Sequence, residues 1–160
     1  MMKHIFFVLL LSLATLSCKN DDKKNHERIT NSTITKVTDT ATINGILLEL
    51  TDHNGQAGLR INSKEYRVSG SIKISPPCYF LRWEKNTIEN FSYPDYGVDH
   101  ALAILGNTTK QNDQRTCGTH LQGILFKKEN IIITNTTLTQ SFSCTDTGAD
   151  EKVFWGFAHE

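Results

Sequence analysis

The sequence predicts a mainly β fold: a small antiparallel barrel or two-layer sheet of about eight strands with one short C-terminal helix. Three observations carry this. From Ala41 onward, short runs rich in β-branched and aromatic residues are separated by Gly, Asn and Pro. Asn54-Gly55 is a strong two-residue hairpin signal. Only beyond Gly148 does the apolar spacing change from the strand period to the helical one.

In chain order, ATINGILLEL leads into the turn His53-Asn54-Gly55, after which Leu59 and Ile61 alternate with polar neighbours. Asn62-Ser63-Lys64-Glu65 turns the chain into Tyr66-Arg67-Val68, and Ser71-Ile72-Lys73-Ile74 alternates again. Pro76-Pro77 stops that run, because proline cannot donate to a sheet ladder. CYFLRWEKNTIENFSY reads as a hairpin turning at Lys85-Asn86. Ala101 to Leu105 fits helix or strand by period; its short length and the Gly106-Asn107 stop favour strand. HLQGILFKKENIIITN is a further hairpin, turning near Lys128-Glu129-Asn130, with Leu138 and Phe142 continuing its second arm. In ADEKVFWGFAHE, Val153, Phe154, Phe157 and Ala158 fall on one helical face, with Asp150 or Thr147 as cap. This helix is expected to plug one end of the sheet with Phe154, Trp155 and Phe157.

The N-terminus is different in kind. Ile5 to Leu16 carries no charge but is shorter than the roughly 20 apolar residues a membrane span needs. A basic start at Lys3, a short apolar core and small Ser17 form a secretory signal. Leu16-Ser17-Cys18 resembles the lipobox of bacterial lipoproteins, with Thr15 where that family usually has Leu. The resemblance implies cleavage after residue 17 and lipidation of Cys18. Several acyl chains, at about 0.8 kcal/mol per buried CH₂, hold such a protein on its membrane. Asp21 and Asp22 soon after the cysteine imply the outer membrane, on its periplasmic face or at the cell surface. The expected organisation is signal peptide 1–17, flexible tether 18–40 and a single β-rich domain 41–160. Asp39-Thr40-Ala41 also resembles an O-glycosylation site of some bacteria with lipoproteins of this kind.

Formal charge is zero, with 17 basic and 17 acidic residues interspersed, so no basic stripe points to a nucleic-acid partner. No Gly-rich phosphate loop, serine elbow or dinucleotide fingerprint occurs, and no cofactor is expected. Cys117-Gly118-Thr119-His120 pairs a thiol with an imidazole, but three-residue spacing on a strand points them to opposite faces. Cys117, His120, Cys144 and His159 supply zinc-type ligands without dense ligand spacing, so no metal site is expected. In an exported domain the cysteines read instead as a disulfide framework. With the turn at Glu129-Asn130, Cys117 faces Phe142, and Cys144 lies two residues farther along the same strand. A twist or bulge would join Cys117 to Cys144 and leave Cys78 a buried thiol; the alternative is Cys78 paired to either of them.

FSYPDYGVDH is the least strand-like part of the domain, and Tyr93, Asp95 and Tyr96 form a candidate binding loop. The alternative is that its rings fold back onto the sheet as core. No catalytic set assembles from the sequence. The expected function is therefore a non-enzymatic, lipid-anchored envelope binding protein for a protein or glycan ligand, an inhibitor or immunity factor against a secreted hydrolase or toxin. Its alternatives are an envelope enzyme with a cysteine or carboxylate site assembled by the fold, and a purely structural envelope component.

Overall fold

The structure, a computed structural model, describes residues 34–160. The signal peptide 1–17, the lipidation site Cys18 and the tether up to residue 33 lie outside the described residues.

The fold is mainly β with one short C-terminal helix, as the alternating runs predict. Six longer strands carry it: β1 Thr35–Ile43, β2 Ile46–His53, β3 Gln56–Ile61, β9 Val98–Gly106, β11 Thr116–Lys127 and β12 Asn130–Cys144. The rest are short: β4 Arg67–Ser69, β5 Tyr79–Phe80, β6 Arg82–Trp83, β7 Thr87–Ile88, β8 Phe91–Tyr93 and β10 Thr109–Lys110. Strands β1, β2 and β3 form an antiparallel three-stranded sheet. A seven-stranded sheet runs β4-β12-β11-β9-β5, with β8 on β9 and β10 on β11, and β6 and β7 make a separate ribbon.

The two sheet faces follow from residue parity. On β9, Leu102 and Ile104 join Leu48, Leu50, Phe80 and Phe126 in a core shared with the three-stranded sheet. Ala101, Ala103 and Leu105 point the other way, with Leu121 and Leu125, onto Phe154 and Phe157 of α1 (Glu151–Ala158). Both faces of β9 are covered, so its sequence is a continuous apolar run rather than an alternation. Gly123 makes the helix fit: a Cβ there would lie 2.7 Å from the Phe157 ring. Asp150 caps α1 by accepting from Lys152 N at 2.9 Å.

Three expectations are corrected. The folded domain does not begin at Ala41: β1 starts at Thr35, and it is tied down through side chains. Thr38 Oγ1 donates to Cys78 O at 2.7 Å, and Asp39 pairs with Arg82. The helix lies on the face of the large sheet rather than plugging an end, and Trp155 is on its outer side, 51% exposed. Finally, Cys117 faces Cys144 rather than Phe142. Between the pairs Ile124–Ile133 and Gln122–Thr137, Gly123 alone opposes Thr134, Asn135 and Thr136. Between His120–Thr139 and Gly118–Ser143, Thr119 alone opposes Gln140, Ser141 and Phe142, with Gln140 at φ 62°. These bulges advance β12 along β11 and turn Phe142 outward.

Candidate functional site

The β6–β7 ribbon builds the most site-like feature. Arg82 pairs with Ile88 and Trp83 with Thr87 around a 3₁₀ turn at Glu84–Asn86. The ribbon is pinned across the end of the large sheet: Leu81 N donates to Ala103 O, Arg82 N to Thr145 O and Glu89 N to Leu81 O. Its arms, at Arg82-Trp83 and Glu89, therefore lie beside the turn that follows Cys144 and leads into α1. That turn is itself fixed by the Cys117–Cys144 disulfide and by Thr145 N donating to Thr116 O at 2.9 Å.

Glu89 enters this junction as a carboxylate only 7% exposed. One oxygen accepts from Ala149 N at 2.9 Å. Burial pushes its carboxyl above the ordinary value, against the lowering effect of that hydrogen bond. Gly148 sits in the left-handed region at φ 66°, and a Cβ on it would lie 2.7 and 2.8 Å from the Glu89 oxygens and 2.8 Å from Trp83 Cε3. The carboxylate and the indole thus converge over a residue that must lack a side chain. Between them opens a cleft of about 430 Å³, walled also by Phe91, Ala149 and Glu151. An adjoining groove of about 470 Å³ runs from Trp83 past Phe142 and Gly148 to Val153. Trp83 is 54% and Phe142 66% exposed, large apolar surface for a folded domain to leave open at one place.

The candidate loop continues from the cleft wall at Phe91. Phe91 packs on Phe154, with ring centroids 4.6 Å apart, and Tyr93 is half-buried with its hydroxyl donating to Glu151 O at 3.3 Å. Burial, and then the Glu151 charge, raise the Tyr93 hydroxyl above its ordinary value. Asp95 and Tyr96 are exposed on a 3₁₀ turn, Pro94–Tyr96, closed by left-handed Gly97. Tyr96 stacks on His159 at 3.9 Å, and His159 stacks in turn on Trp155 at 3.6 Å. The loop therefore divides: its first two rings pack toward the core and its third joins a surface stack.

The chemistry drawn from cysteine and histidine does not assemble. Cys117 and Cys144 are bonded to each other. Cys78 is buried, its thiol pushed up to about 12 chiefly by that burial, and so carries almost no thiolate. His120 meets Thr119 Oγ1 at 2.9 Å, while His159 is held by Tyr96 and Trp155. Among the described residues no group of three or more His, Cys, Asp and Glu side chains is arranged to hold a metal ion. Glu89 and Trp83 were missed from sequence because both read as ordinary members of one hairpin. Only the turn after Cys144 gives them a shared partner. No protein family, curated protein or solved structure matches the chain.

Proposed function

We propose that the chain is a non-enzymatic binding protein, anchored through Cys18 to the outer membrane. In this reading it holds a protein or glycan ligand, as an inhibitor or immunity factor against a secreted hydrolase or toxin. The observation that carries the binding reading is the pair of exposed rings, Trp83 and Phe142, set around one groove on a disulfide-fixed turn. Rigid aromatic side chains supply large contact area at low entropic cost, which is what hot spots use. The anchor rests on the apolar run that ends at Ser17-Cys18.

The test is a binding panel of purified secreted hydrolases and peptidoglycan fragments, measured on the full chain in detergent and on its Trp83→Ala, Phe142→Ala double variant. At least one member should bind, and the double variant should bind it at least tenfold more weakly. Equal binding by both forms counts against the groove, and turnover of a fragment counts for an enzyme.

The enzyme is the second reading, and Glu89 favours it. A buried carboxyl held above its ordinary value in a cleft is a suitable proton donor. Loss of turnover in Glu89→Gln would identify it as the acid.

A further inference from the structure

We propose that the cleft between Trp83 and Glu89 is a receptor for one basic side chain, arginine or lysine, presented by a cationic segment of a protein partner. This deepens the binding reading above and rests on it.

Glu89 is the first reason. Its carboxylate has about four acceptor positions when ionised, and among the described residues only Ala149 N uses one. Asp39, Glu49 and Asp113 all have arginine partners, whereas Glu89 forms no ion pair with any described residue. A buried carboxylate without a counter-charge costs free energy, and a cation arriving from outside relieves that cost.

Trp83 is the second reason. Trp83 and Glu89 both line the cleft, and the indole edge and the carboxylate pack side by side against Gly148, so a group entering the cleft has both residues in its walls. That combination suits a guanidinium or ammonium, which gains a charge-assisted hydrogen bond from one wall and a cation–π contact from the other. The surrounding charge has the right sign: Glu151 is also on the cleft wall, and Asp150 lines the neighbouring grooves, where Lys152 is the one described base.

Breadth selects a protein partner over a free small cation. Grooves of about 470 and 640 Å³ flank the cleft and present Phe142 and Trp155, apolar surface that a peptide segment covers and a lone amine does not.

The full chain, in detergent, is titrated calorimetrically with blocked tripeptides carrying a central arginine, lysine, citrulline or glutamate, and separately with chitotriose. Arginine and lysine peptides should give saturable binding heats. Citrulline, the neutral analogue of arginine, should bind about tenfold more weakly, and glutamate should be silent. Adding Glu89→Gln, which keeps an acceptor for Ala149 N, should weaken the arginine peptide by about tenfold. Adding Glu151→Gln, nearer the rim, should weaken it less. Equal affinity for citrulline, unchanged affinity in Glu89→Gln, or silence toward the basic peptides overturns the assignment. A response to chitotriose alone, lost in Trp83→Ala, overturns it too but leaves the binding reading standing.

Discussion

Asp39 on β1 and Arg82 on β6 form a two-pronged ion pair, Nη1 to Oδ2 at 2.6 Å and Nη2 to Oδ1 at 2.8 Å, that locks the N-terminal strand to the ribbon bearing Trp83. Both side chains are largely buried, and Asp39 also accepts from Phe80 N at 2.9 Å. Removing one partner strands the other charge, so Asp39→Ala should cost about 3 kcal/mol in urea unfolding. A chain starting at Ala41 lacks both Asp39 and the Thr38 bond to Cys78, and should melt well below one starting at Lys19. Equal melting would mean that β1 contributes nothing before Ala41. The pair also bears on Asp39-Thr40-Ala41: Thr40 is exposed, but the Asp39 carboxylate is already engaged.

The Cys117–Cys144 bond closes a separation of 27 residues and fixes the turn on which Gly148 and Ala149 stand. The chain-entropy model assigns such a loop about 3–4 kcal/mol. Replacing both cysteines by serine should lower stability by that order and weaken ligand binding through the turn. Non-reducing peptide mapping should show Cys78 unpaired, and Cys78 should resist alkylation until the chain is unfolded. A Cys78 peptide joined to another cysteine would contradict the assignment.

Two carboxyls give opposite pH signatures. Glu89 is held above its ordinary value of 4.5, so between that value and the raised one the folded state binds more protons than the unfolded chain. Stability therefore falls as pH rises through this window. Glu160 is exposed, but partial desolvation still pushes its carboxyl up. Hydrogen bonds involving Thr136 and Asn135, with the Lys73 charge, more than offset this and hold it below 4.5. Its contribution is complete above 4.5 and is lost as pH falls through the lowered value. Urea unfolding across the acid range should show Glu89→Gln removing the decline above 4.5, and Glu160→Gln reducing the loss below it. A Glu89→Gln profile parallel to that of the unmodified chain would sink the first half.

Much of the fold was legible because the signals were local. The turns at Asn54-Gly55 and near Lys128-Glu129 and the Asp150 cap all lie where chain-neighbour chemistry places them. A second Asn-Gly, Asn44-Gly45, splits ATINGILLEL into β1 and β2; the signal was present inside what reads as one run. What was not legible depends on contacts between distant segments. Nothing near residue 39 announces Arg82, so the strand before Ala41 read as tether. The turn falls at Lys128-Glu129, one residue before the Glu129-Asn130 turn that set the expected register, and the bulges at Thr134–Thr136 and Gln140–Phe142 then shift the pairing the other way. The first is held by Glu160, whose carboxylate accepts from Asn135 N and Thr136 N at 2.7 and 2.6 Å. The cleft is the extreme case, since Trp83, Glu89 and Gly148 meet only after two sheets and a disulfide are in place.

Gly148→Ala tests the convergence itself. A methyl group there meets the Glu89 oxygens and the Trp83 ring, and the left-handed backbone adds strain of about 1 kcal/mol. The variant should fold, melt lower, and respond to basic peptides far more weakly than its loss of stability explains. Full affinity in Gly148→Ala would mean that the indole and carboxylate do not act together.

The most direct measurement is the hydrogen-exchange footprint of a bound partner, taken from the panel above, on the full chain. The binding account expects new protection concentrated in residues 81–91 and 145–156, the ribbon and the turn into α1. Protection confined to the outer face of β1, β2 and β3, with none at Trp83 or Ala149, would contradict it.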